Sequence, residues 1–99
     1  MVGVIIATHG MLAEELIRTA EGICGKMTGC QALCIDGSAS IEDSRQRLAE
    51  AIKKVDTGDG VIILTDMFGG TPTNLALTFL NEQLEVLTGV NLPMLLKVA

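Results

Sequence analysis

Ninety-nine residues encode one domain, near the lower end of the usual size range, with room for one core but not two. Hydrophobic residues make up 48% of the chain and charged ones 19%, which excludes disorder; a net charge of −5 and only two aromatics, Phe68 and Phe79, exclude a basic, base-stacking nucleic-acid surface. No apolar run is long enough to span a membrane and the first residues lack the flanks of a secretion signal, so a cytoplasmic protein is expected, one whose protein partners dock through basic patches.

Val2 to Thr8 is rich in β-branched residues and almost continuously apolar, the pattern of a strand buried on both faces of a parallel sheet. From Met11 to Cys24 the period changes. Leu12, Leu16 and Ala20, with Ala13, Ile17 and Cys24 beside them, form an apolar helical face; Glu14, Glu15, Arg18 and Glu21 lie opposite, and Gly22 and Gly25 mark the end. Gln31 to Ile35 is a shorter strand closed by Asp36-Gly37. Ser40 to Val55 is a second helix, with Ser40 and Asp43 as a variant capping box and Ile41, Leu48, Ala51, Ile52 and Val55 as its buried stripe.

Val61 to Thr65 repeats the first pattern, an apolar strand stopping at a polar residue, here Asp66. Met67-Phe68-Gly69-Gly70 follows as a loop. Thr71 suits the cap of a third helix and Pro72 its first position, with the helix running to about Asn81 and burying Leu75, Ala76, Phe79 and Leu80. Leu84 to Leu87 is a fourth strand, and Leu92-Pro93-Met94 begins a helix that the sequence does not finish. Alternating strands and helices predict a small, doubly wound α/β fold: a mainly parallel, flavodoxin-like sheet of about four strands with helices on both faces. The common orders for such sheets set strands one and three side by side at the topological switch point, which brings His9 beside Asp66.

His9 is the one histidine of the chain. For imidazole to attack phosphorus it must be neutral, with one nitrogen free and the proton on the other held by an acceptor; Asp66 is the candidate acceptor. Its carboxylate would also offset the positive charge that develops as the N–P bond forms, the logic that pairs histidine with aspartate in hydrolytic triads. Thr8, Gly10, Gly69, Gly70 and Thr71 are the candidate phosphate-binding residues, through small size, backbone N–H groups and hydroxyls at helix starts. Neither loop has Lys or Arg, which suits a group that must soon leave rather than a nucleotide triphosphate. Taken singly, His9 could be an exposed or capping histidine, Asp66 a turn cap, and Gly69 to Pro72 a plain helix start; their shared crevice is what argues for chemistry. Cys24, Cys30 and Cys34 fit neither C-x-x-C nor a zinc pattern, so reduced thiols are expected, with no metal and no cofactor.

The segments VIIATHGMLAEELIRTAEGICG, VIILTDMFGGTPTNLAL and TGVNLPMLL together resemble the IIA domain of the mannose class of the bacterial phosphoenolpyruvate-dependent sugar phosphotransferase system. The strand-end T-H-G, the D-x-F/W-G-G-[ST]-P loop and the G-V-N-[LI]-P-M turn occur in order, so the resemblance spans essentially all of residues 1–99. It implies a phosphotransferase that carries phosphate on His9 Nε2, taken from the phosphohistidine of the carrier protein HPr and passed to the IIB component of a sugar permease. The same resemblance implies that Asp66 holds Nδ1–H, that Thr71 contacts the phosphate, and that the domain forms a cytoplasmic homodimer, meeting the membrane only through the permease. Family members continue through a full helix and usually a further strand, so this chain is expected to lack the end of that helix and the last strand. Two other readings stand beside it: a regulatory, phosphorylatable domain of a transcriptional activator, and a receiver-type signalling domain. The receiver would need an acidic cluster after the first strand, where His9 stands with no carboxylate before Glu14.

Overall fold

The computed structural model describes residues 1–98. Four strands alternate with four helices: β1 Gly3–His9, α1 Leu12–Cys24, β2 Cys30–Ile35, α2 Ile41–Val55, β3 Val61–Thr65, α3 Thr71–Leu77, β4 Leu84–Leu87 and α4 Leu92–Val98. The strands form one sheet in the order β2-β1-β3-β4, every pair parallel. Two-sided burial explains the unbroken apolar runs of β1 and β3. Ile5, Ala7, Leu33, Ile35, Val61 and Ile63 pack against Leu48, Ala51 and Val55 of α2 and Leu75 and Ala76 of α3. On the other face, Val4, Ile6 and Leu64 meet Ala13 and Ala20 of α1 and Leu95 of α4.

Successive α/β units diverge from the β1–β3 boundary, so the carboxyl ends of these two central strands flank a crevice. Ala7 pairs with Thr65, which leaves His9 and Asp66 just past the paired stretch. Ser40 caps α2, its hydroxyl accepting from Asp43 N–H at 3.0 Å.

Three expectations change. Leu12 and Cys24 of α1 and Ile41 of α2 lie at the surface, and the buried positions are Ala13 and Ala20 in α1, with Ser44 joining Leu48, Ala51 and Val55 in α2. The third helix ends at Leu77, not Asn81, because the Thr78 hydroxyl takes the Leu75 carbonyl at 2.7 Å. Phe79 N–H, the α-helical partner of that carbonyl, bonds Ala76 instead, so the chain tightens into a turn and leaves Leu80 exposed. The cap of α3 is Gly70 with no side-chain bond; Thr71 is the first helical residue and its hydroxyl stays free of capping. The helix expected to begin at Leu92 forms as α4: Asn91 Oδ1 accepts from Met94 N–H at 2.9 Å, and fully buried Leu95 anchors it beside α1. Burying a leucine there stabilises by about 1.5–3 kcal/mol.

Candidate active site

β1 carries His9 to the carboxyl edge of the sheet with its side chain about half exposed, while Asp66, one residue beyond β3, is 14% exposed. His9 Nδ1 lies 2.8 Å from Asp66 Oδ2, and the His9 backbone N–H donates to the same oxygen at 3.1 Å. The other carboxylate oxygen accepts from Met67 N–H at 3.0 Å. Burial pushes the Asp66 carboxyl up, but the hydrogen bonds from the His9 ring and backbone, together with the imidazolium's charge, outweigh it and hold Asp66 below the ordinary carboxylate value. Asp66 is therefore ionised at neutral pH and only accepts. Nδ1 must carry the proton, and in neutral imidazole this leaves the lone pair on Nε2.

The ring lies against Gly70. A Cβ at that position would stand 2.7 Å from His9 Cε1 and 3.1 Å from Nε2, so only glycine lets the loop come this close to the ring. Beside the ring opens a cleft of about 250 Å³, bounded by His9, Thr71 and the segment from Ile35 to Ile41, with Ser44 behind it. Thr71 is exposed, and its hydroxyl is the one nearest the start of α3. Gly69 adopts φ +86°, the conformation that lets the loop turn back under Gly70. Met11, Ile41, Met67 and Phe68, the last 79% exposed, surround this end of the sheet with apolar side chains.

His9, Asp66, Gly69, Gly70 and Thr71 thus gather at one crevice, whereas Thr8 and Gly10 serve it from behind. Thr8 is fully buried and its hydroxyl accepts from Ala13 N–H at 2.8 Å, satisfying one of the unpaired donors at the start of α1. Gly10 adopts φ +55° and gives its N–H to the Ile35 carbonyl at 3.1 Å. Burial keeps the Thr8 hydroxyl from reaching a ligand, and the Gly10 N–H is already taken. Sequence reasoning missed the wall formed by Ile35 to Ile41, and also missed Thr65 and Thr73. These two buried hydroxyls lie 2.6 Å apart behind the Asp66 loop, and Thr73 reaches the Met67 carbonyl at 2.6 Å. The signal was a threonine at each end of the loop, read only as strand and helix residues.

Fold and site together define a doubly wound α/β domain that presents one carboxylate-backed histidine at its topological switch point. The chain belongs to the IIA family of the sugar phosphotransferase system, since the family model for the PTS system fructose IIA component matches residues 3–99. It is 34% identical over 98 residues to the PTS system mannose-specific EIIAB component of Escherichia coli (strain K12), a match that covers 97% of this chain and 30% of that protein. The PTS system fructose-specific EIIA component of Bacillus subtilis (strain 168) is 33% identical over 100 residues, 99% of this chain and 68% of the relative. The chain therefore spans under a third of the first of these relatives and about two thirds of the second. Among solved structures, the PTS IIA protein associated with the fucose utilization operon of Streptococcus pneumoniae superposes with a TM-score of 0.91 at 31% identity, covering 99% of this chain and 79% of that one.

Proposed function

We propose that this domain is a phosphoryl carrier in sugar uptake, accepting phosphate on His9 from phospho-HPr and passing it to a IIB component. The Nε2 lone pair attacks the phosphorus of the donor's phosphohistidine; the new N–P bond forms as the old one breaks, and that electron pair returns to the donor imidazole. Positive charge appears on the His9 ring and is offset by Asp66 across Nδ1–H. Thr71 and the loop at Gly69 and Gly70 offer neutral donors to the phosphoryl oxygens, while Thr8 and Gly10 hold the base from which His9 projects. No metal or cofactor takes part in this step. The observation that carries the reading is the 2.8 Å contact between Nδ1 and Asp66 Oδ2, with Nε2 left open against Gly70.

No helix among the described residues is long and apolar enough to cross a membrane. In this reading the domain works on the cytoplasmic side and meets the membrane only through the permease. The family resemblance adds a homodimer.

The test is labelling from radioactive phosphoenolpyruvate in the presence of enzyme I and HPr. Wild type should take up one acid-labile, base-stable label, and His9→Ala none. The label should then pass to a IIB domain added afterwards; uptake without onward transfer would favour a regulatory phosphorylatable domain, and a base-labile label would point to an aspartyl phosphate.

A further inference from the structure

The phosphocarrier reading makes Asp66 the group that sets the His9 tautomer, yet Asp66 sits on a loop whose tip, Met67 and Phe68, is exposed. Something must hold that loop. Thr65, the residue before Asp66, is fully buried, and Thr73, in the first turn of α3, is 1% exposed. Each hydroxyl has one hydrogen to give. Thr73 Oγ1 donates to the Met67 carbonyl at 2.6 Å, so its 2.6 Å contact with Thr65 Oγ1 must be a bond donated by Thr65. The proton order is therefore fixed, Thr65 to Thr73 to Met67, and the residues on both sides of Asp66 are tied to one side chain.

This matters because Met67 N–H is itself the donor to Asp66 Oδ1 at 3.0 Å. Fixing the carbonyl of Met67 fixes the orientation of that residue, and through its N–H the plane of the carboxylate whose other oxygen meets Nδ1. We infer that Thr73 is a positioning residue for phosphoryl transfer: by clasping Thr65 and the Met67 carbonyl, it aims Asp66 at His9 Nδ1 and so keeps Nε2 unprotonated. Thr73 acts on His9 only through this relay. A valine of the same shape would leave the part-buried Met67 carbonyl and the buried Thr65 hydroxyl without this partner and let the carboxylate plane rotate.

The experiment compares wild type, Thr73→Val, Thr73→Ser and Thr73→Cys, reading two signals. The first is the ¹⁵N shift pair of the His9 ring in the unphosphorylated protein, which reports the tautomer and does not depend on phosphoryl transfer. The second is the rate of labelling by phospho-HPr. Thr73→Val should move the ring from a single Nδ1–H tautomer to a mixture and slow labelling by about tenfold, the low end for losing an outer-shell partner. Thr73→Ser, which keeps the hydroxyl, should restore the tautomer and bring the rate within about threefold of wild type. If Thr73→Val does not fold, Thr73→Cys, close to serine in size but a weak donor, takes its place with the same expected shift. A folded Val or Cys variant with wild-type ring shifts and wild-type rate overturns the inference, as does a serine variant that loses as much as valine. A wild-type protein that takes no label at all would overturn the phosphocarrier reading instead, leaving the ring shifts to decide the role of Thr73.

Discussion

The two loops that meet at the crevice are built on opposite plans. The turn after β1 is only two residues long and is tied inward at each step: Thr8 to Ala13, His9 N–H to Asp66, and Gly10 to Ile35. The turn after β3 is five residues long, and its tip is apolar and largely exposed. His9 is thus mounted on the short, rigid turn, and Asp66 at the base of a longer loop that Thr73 clasps from behind while its tip, Met67 and Phe68, stays exposed. In the proposed carrier role such a division suits a histidine that must keep one geometry toward two partners, because the pair of His9 and Asp66 is held from behind and only the exposed tip is left to adapt to what docks.

The comparison is broken most completely at its rigid side, where His9→Ala should abolish labelling from phospho-HPr. Asp66→Asn should leave the fold intact but slow labelling by about ten- to a hundredfold, because the amide can donate to Nδ1 and stabilise the wrong tautomer. If that variant keeps both the wild-type rate and the wild-type lifetime of the phosphoprotein, the role given to Asp66 is wrong. Gly70→Ala tests the approach of the two loops. Its Cβ would meet the ring at 2.7 Å, so the ring or the loop must shift, and labelling should fall by about tenfold with little change in far-UV circular dichroism. Thr8→Val acts on the rigid turn alone. With Ala13 N–H left unpaired, urea denaturation should show a loss of about 1–2 kcal/mol, while labelling per folded molecule changes less than threefold.

The smallest effect is on pH dependence. Asp66 has a lowered value in the folded state, so the stability it adds is fully present above the unfolded carboxyl's ordinary 3.8 and disappears as pH falls through the folded value. The stability difference between wild type and Asp66→Asn should shrink in acidic solution, below the ordinary carboxyl value.

Much of this arrangement was legible in the chain. Two apolar runs ending in His9 and Asp66 gave the strands, and the alternation with helices gave a parallel sheet whose usual strand orders place those residues together. What escaped was competition for hydrogen bonds, which residue types do not announce. Thr8 was a plausible phosphate ligand, but its hydroxyl turns inward to accept from Ala13 N–H and is fully buried, and the Gly10 N–H is held by the Ile35 carbonyl. Thr71 looked like a helix cap, but Gly70 takes that place. Thr78 shortens α3 by the same kind of competition, here for a backbone carbonyl. The apolar stripes were misread at Leu12 and Ile41 because these stand at helix starts, where the sheet ends and no layer remains to cover them.

A sheet whose strands all run one way has a further effect on this acidic molecule. Every helix starts at the end that bears His9, and Glu14, Glu15, Glu42 and Asp43 sit in first turns there, while Lys53, Lys54 and Lys97 sit in last turns at the far end. At the far end those lysines are offset by Glu21, Asp56, Asp59 and Glu82, so it is the histidine end that presents carboxylates with few cations among them. A positively charged protein is drawn to that end, and its encounter rate should fall as salt is added.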